Sequence, residues 1–192
     1  YLLLVLVGLP GSGKSTVGRQ LARRLDIPFL DSDHAIEQRL GCSIREYFER
    51  QGEERFRDIE TDVLAQLVLQ GQGVLSTGGG SVLREQNRDL LRQNGQVFYL
   101  HTSPQEVFRR LRHDRHRPLL QVADPLKRLQ DLFALRDPLY RAAAHHVIES
   151  PRPSVGAMVQ GVLQHLERAP ESDPAPGTSP TPTLAPPASP SH

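Results

Sequence analysis

Leu2-Leu3-Leu4-Val5-Leu6-Val7 runs directly into Gly8-Leu9-Pro10-Gly11-Ser12-Gly13-Lys14-Ser15-Thr16, and this union of an apolar hexapeptide with a glycine-rich loop decides the fold. Six consecutive apolar residues bounded by glycine read as a strand buried on both faces. The loop that follows has glycine, four residues, glycine, lysine and serine, with a further glycine at position 11 that permits positive φ where a Cβ would clash. Such a curl points successive N–H groups inward. Together with the positive end of the next helix and the Lys14 ammonium, they form an anion site suited to the β- and γ-phosphates of a nucleotide. The Ser15 hydroxyl is then placed to ligate Mg²⁺. Gly11, Ser12, Gly13, Lys14, Ser15 and Thr16 are therefore the expected nucleotide contacts. A purely structural turn is the alternative, and the strand before and amphipathic run after favour phosphate binding. The loop leaves the phosphoryl acceptor open.

A chain of 192 residues suits one domain with a real core. Its composition changes near Ala169: residues 170–192 carry eight of the 16 prolines, one leucine and no aromatic residue. Such a segment buries too little apolar surface to offset its ordering entropy, so 1–169 is the expected domain and 170–192 a disordered tail. The two tail acids, Glu171 and Asp173, leave the rest of the chain with a formal charge of only +3. This balance, with arginines scattered rather than striped, argues for a small anionic ligand and against nucleic acid. A single cysteine, Cys42, excludes an internal disulfide and suits a reducing compartment. No apolar run approaches a membrane span. A soluble, cytoplasmic monomer is the expectation, and the start at Tyr1 leaves any preceding segment open.

After the loop, Val17, Leu21, Ala22 and Leu25 recur at helical spacing. Ile27 to Leu30 reads as a second strand delivering Asp31-Ser32-Asp33 at its carboxyl end, where ligands bind in open parallel sheets. Either Ser32 or Asp33 is able to cap a helix over 34–40 and do nothing else. With a phosphate loop in the chain, the favoured reading has Asp31 acting on the metal through water and Asp33 receiving the acceptor hydroxyl. A helix from Glu53 to Gln70 has a core face marked by Phe56, Ile59, Val63 and Leu67, with Arg57 and Glu60 on another face. These two are either a surface ion pair or a glutamate aiming a guanidinium at an anionic substrate. A third strand over 74–77 meets Gly78-Gly79-Gly80, three residues without side chains that let backbone amides approach a ligand, or a plain turn. A fourth strand spans 97–100, and Ser103-Pro104-Gln105-Glu106 opens a helix. Residues 112–124, rich in charge and broken by Pro118, read as a mobile lid able to bring an arginine onto transferring charge. His113 and His116 fit a solvated loop better than a metal site. A helix over 125–135 is closed by Arg136-Asp137-Pro138-Leu139-Tyr140, where Arg136 is also a candidate dipole partner. A weak fifth strand at 145–148 and a last helix at 154–167 complete the domain.

Strands alternating with helices behind a phosphate loop predict a three-layer α/β/α domain. At that level the chain resembles the shikimate kinase family of P-loop small-molecule kinases, over roughly residues 2–165. The resemblance rests on Asp31-Ser32-Asp33, Phe56-Arg57 with Glu60, Gly78-Gly79-Gly80, Arg117-Pro118-Leu119-Leu120, and Arg136 with Pro138 and Tyr140, in that order. It implies a P-loop kinase fold with a five-stranded parallel sheet and a mobile lid. It also implies phosphorylation of the 3-hydroxyl of shikimate by ATP with Mg²⁺, in the pathway to chorismate and the aromatic amino acids. Under it Asp33 holds the acceptor hydroxyl and serves as base, Arg57 and Arg136 grip the shikimate carboxylate, and the amides of Gly79 and Gly80 contact substrate. Lys14 and Arg117 stabilise the transferring group, Arg110 lies along the adenine, and Arg152 falls in the adenine-side loop, where this sequence departs from the commoner family pattern. Gluconate and nucleoside-monophosphate kinases share loop and lid but leave Arg57, the triple glycine and Arg136 unexplained together. A non-catalytic nucleotide switch has no need of both Asp33 and Lys14.

Overall fold

All five residues of the first strand, β1 (Leu3–Val7), are buried, as a central parallel strand requires. The computed structural model describes residues 2–112, 122–149 and 154–167. From β1 the chain passes through α1 (Lys14–Leu25), β2 (Phe29–Asp31), α2 (Ser32–Leu40), α3 (Ile44–Gln51), α4 (Glu53–Val68) and β3 (Gly73–Ser76). It continues through α5 (Glu85–Asn94), β4 (Gln96–Leu100), α6 (Pro104–Leu111), α7 (Pro125–Ala143), β5 (His146–Ile148) and α8 (Val155–Glu167). The expected lid and tail lie largely outside the described residues.

The five strands form one parallel sheet in the order β2-β3-β1-β4-β5. Alternate residues of β1 face opposite helical layers. Leu3, Val5 and Val7 join a core with Phe56, Leu64, Leu91, Leu129 and Tyr140, from α4, α5 and α7. Leu4 and Leu6 join another with Val17 and Leu21 of α1 and Met158 and Val162 of α8. The result is the three-layer α/β/α architecture expected from the alternation of elements. From β1 the chain builds β2 and β3 on one side of it and then crosses to β4 and β5 on the other, which makes the carboxyl end of β1 a switch point where such sheets bind ligands. Register aligns Leu6 with Ser76 and Asp31 with Ser76, so the carboxyl ends of β1, β2 and β3 stand side by side.

Three local expectations change. The second strand begins later than Ile27 because the Ile27 N–H is spent on the end of α1, donating to the Ala22 carbonyl at 3.0 Å. Asp26 adopts φ 53° in this closure. Second, α7 does not close at Arg136 but runs through Pro138 to Ala143. The proline forfeits its own N–H toward the Ala134 carbonyl, a loss of about 3 kcal/mol in an isolated helix. Burial of Tyr140 and Ala143, both without exposed surface, outweighs it. Arg136 therefore stands inside a helix, and a role at a helix C-terminus does not apply. Third, the buried stripe of α4 is Phe56, Glu60, Val63, Leu64, Leu67 and Val68, with Ile59 only partly covered.

Candidate functional site

The loop between β1 and α1 has the curled backbone its glycines predict, with φ of 81° at Gly11 and 89° at Gly13. Gly13 is the N-cap of α1 and supplies no side chain there, so the first N–H groups of the helix face outward into a cleft. That cleft, about 260 Å³, is lined by Pro10, Gly11, Gly13, Lys14, Ser15, Thr16, Asp31, Asp33, Ser76, Thr77, Gly78 and Gly79. The Lys14 ammonium folds over its own loop, donating to the carbonyls of Gly8 at 2.7 Å and Leu9 at 2.9 Å. Arg110 reaches the loop from α6, its Nη1 donating to the Ser12 carbonyl at 3.2 Å.

Asp31 caps α2, a position expected for Ser32 or Asp33: its Oδ1 accepts from the N–H of Asp33 at 3.0 Å and of His34 at 3.3 Å. Its other oxygen accepts from the Ser15 hydroxyl at 3.2 Å, so the cap and the contact with the loop use different atoms. Ser32 is taken up structurally, accepting the Gly78 N–H at 3.1 Å and tying α2 to the glycine loop. Asp33 is left to face the cleft.

A second cleft, about 170 Å³, lies alongside and is lined by Pro10, Asp33, Ile44, Phe48, Phe56, Arg57, Glu60, Gly78, Gly79, Gly80 and Arg136. The two share Asp33, Pro10, Gly78 and Gly79. In the second, Arg57 is held from beneath: its Nη1 donates to Glu60 at 2.9 Å. Its guanidinium carbon also lies 5.1 Å from the ring centre of Phe56 and 5.8 Å from that of Phe48. Glu60 is 1% exposed and takes a further bond from the Ser81 hydroxyl at 3.2 Å, so this is no surface ion pair. The glycines are required by space. A Cβ on Gly79 would stand 2.7 Å from the Pro10 ring, and one on Gly80 would collide with the Arg57 guanidinium. Gly80→Ala is expected to push Arg57 aside and raise KM for the acceptor at least about tenfold with KM for nucleotide little changed, the scale of a lost charge-assisted hydrogen bond. Steady-state kinetics with each substrate varied in turn check it.

Asp33 has its pKa raised to about 6, first by the surrounding protein mass and next by the Asp31 charge, with the Lys14 ammonium pulling the other way. Its carboxylate remains reachable from the open cleft. A carboxyl tuned toward neutrality beside a phosphate loop has the ordinary profile of a general base.

The expected donor residues Gly11, Gly13, Lys14, Ser15 and Thr16 thus meet Asp31 and Asp33 in one cleft, and Asp33, Arg57, Gly79, Gly80 and Arg136 meet in the other. Ser12 is buried and lines neither cleft; its carbonyl accepts from Arg110. Arg117 and Arg152 lie outside the described residues. Pro10, Ile44, Phe48 and Ser76 were not singled out for the site from sequence, and Glu60 was placed on the wrong face of its helix. A glutamate four residues after Phe56 and three before Val63 falls on the apolar stripe, and that spacing was the available signal.

The family profile described as Shikimate kinase matches residues 10–167. The chain belongs to the shikimate kinase family. It is 56% identical over 174 residues to a shikimate kinase of Paracidovorax citrulli, covering 89% of this chain and 95% of that one. It is 51% identical over 175 residues to one of Ralstonia nicotianae, with 91% and 92% covered. Its structure superposes on the shikimate kinase from Acinetobacter baumannii in complex with shikimate at a TM-score of 0.80 and 44% identity, covering 86% of this chain and 93% of that one. Shikimate kinases use ATP with Mg²⁺, and the first cleft fits both. Mg²⁺ keeps several waters and takes few protein oxygens besides those of phosphate. The adjacent Ser15 hydroxyl and Asp31 carboxylate at the mouth of the loop are such a set.

Proposed function

We propose that this chain transfers the γ-phosphoryl group of ATP to the 3-hydroxyl of shikimate, giving shikimate 3-phosphate and ADP, on the route to chorismate and aromatic amino acids. The observation that carries the reading is the junction of the two clefts at Asp33, with a phosphate loop on one side and two arginines on the other. The loop amides and Lys14 hold the donor phosphates. Arg57 and Arg136 grip the planar carboxylate, fixing the ring so that one hydroxyl faces Asp33, and the amides of Gly79 and Gly80 complete the cradle. Asp33 accepts the hydroxyl proton as the new oxygen–phosphorus bond forms and the bond to the leaving ADP oxygen breaks. Mg²⁺ would be held by Ser15 and, through water, by Asp31, and would supply neutralisation of the phosphate charge. Phosphoryl transfer asks for positioning and charge compensation more than covalent chemistry, and these residues supply both.

Arg110 fits along the adenine, given its place beside the loop. Arg117, in a lid over about 112–124, and Arg152, in the adenine-side loop, complete the donor site in this reading, with residues 170–192 as a tail outside the domain. The protein acts as a cytoplasmic monomer on small molecules, without nucleic acid or membrane. Its mild charge and single cysteine support this, and no helix among the described residues is long and apolar enough to cross a membrane.

The test is the position of phosphorylation. Phosphorus NMR of the product from shikimate and MgATP is expected to show one phosphomonoester coupled to the proton at C3, and 3-deoxyshikimate is expected to be inert. Phosphorylation of the deoxy analogue, or at another hydroxyl, would overturn the assignment.

A further inference from the structure

Arg136, Pro138 and Tyr140 stand together in the sequence, yet only Arg136 has a part in the chemistry so far. Tyr140 has no exposed surface. Its hydroxyl donates to the Gly79 carbonyl at 2.7 Å, joining α7 to a loop 61 residues away. The guanidinium of Arg136 lies in the same place: its Nη1 is 3.3 Å from where a Gly79 Cβ would stand, and its positive charge acts on the Tyr140 hydroxyl. The Gly79–Gly80 peptide has no side chain to fix it, and glycine gives it wide rotational freedom. In a planar trans peptide the C=O of Gly79 and the N–H of Gly80 point in opposite directions. A hydroxyl that holds the carbonyl from the α7 side therefore aims the N–H away from α7.

We propose that Tyr140 is a positioning residue for the acceptor, its hydroxyl locking the Gly79–Gly80 peptide and seating Arg136 so that one amide and one guanidinium meet the acceptor carboxylate at a set angle. The inference rests on the acceptor reading given above. Tyr140 touches no reacting atom. Its loss loosens two acceptor contacts together and leaves the donor loop alone.

Shikimate binding by calorimetry, without nucleotide, tests it in the full chain. Tyr140→Phe is expected to raise Kd for shikimate five- to twentyfold, with KM for ATP within twofold. In an Arg136→Ala background, Tyr140→Phe is expected to add less than twofold. 4-Aminophenylalanine at position 140, which restores a donor to the Gly79 carbonyl, is expected to recover binding to within threefold of the parent. A folded Tyr140→Phe protein with parental Kd would overturn the proposal, as would equal losses for shikimate and ATP accompanied by a lower Tm. Should the phenylalanine variant not fold, the folded 4-aminophenylalanine protein decides: parental Kd supports the proposal and a tenfold loss overturns it. Absence of shikimate binding by the parent protein would instead count against the acceptor reading itself.

Discussion

Asp33→Asn lowers kcat by about a thousandfold while KM for ATP stays within a few fold, the range expected when a positioned general base is removed. Asparagine keeps the size of the side chain and still offers an oxygen to the acceptor hydroxyl, so binding persists while proton acceptance is lost. The raised pKa of Asp33 adds a second signature. In the parent protein kcat/KM for shikimate rises through an ionisation near pH 6 as the carboxyl loses its proton, and in Asp33→Asn that step is absent. Stability moves the opposite way. The folded state prefers the neutral carboxyl, because the surrounding protein mass and the Asp31 charge raise the pKa from 3.8 to about 6. The favourable contribution of that preference is full below about pH 3.8 and is lost as pH rises through about 6. Asp33→Asn is therefore expected to melt at a higher temperature than the parent protein above pH 6, and at a similar one near pH 4. A variant that loses activity and also melts lower at pH 8 would point to a structural role for Asp33.

Arg57→Lys raises KM for shikimate about 10- to 100-fold and leaves KM for ATP within about twofold, since one charge-assisted hydrogen bond is worth about 1.5–3 kcal/mol. Lysine keeps the positive charge above buried Glu60, which spares the protein the cost of an unpaired interior carboxylate. What it lacks is the planar fork that meets a carboxylate with two parallel bonds, and the flat face that rests on Phe48 and Phe56. Equal rises in both KM values would sink the assignment of Arg57 to the acceptor carboxylate.

The parallel sheet and its phosphate loop were legible because their signals are local: an apolar run, a glycine-rich curl and a helix in succession. Asp31, Asp33 and the triple glycine were legible as strand ends, since parallel topology brings the carboxyl ends of strands together. Their division of labour was not. Which carboxylate capped α2 depended on a choice between neighbouring side chains, and Asp31 took the cap while keeping its second oxygen for Ser15. Glu60 was misplaced because a charged residue on an apolar stripe is assigned outward by default, and its burial is made tolerable by Arg57, one turn away on the same helix, together with the distant Ser81 hydroxyl. The passage of α7 through Pro138 was illegible for a similar reason: local propensity ends a helix there, and distant packing of Tyr140 continues it.

The central claim is that the cleft beyond Asp33 selects shikimate as the acceptor of the phosphoryl group held by the loop. ADP release, followed in a coupled assay with MgATP and a panel of acceptors, tests it most directly. Release that requires shikimate, and stays at background with gluconate, with AMP and with no acceptor, is the predicted result. Release at the same rate whether or not an acceptor is present, or release driven by gluconate or AMP instead, would contradict it.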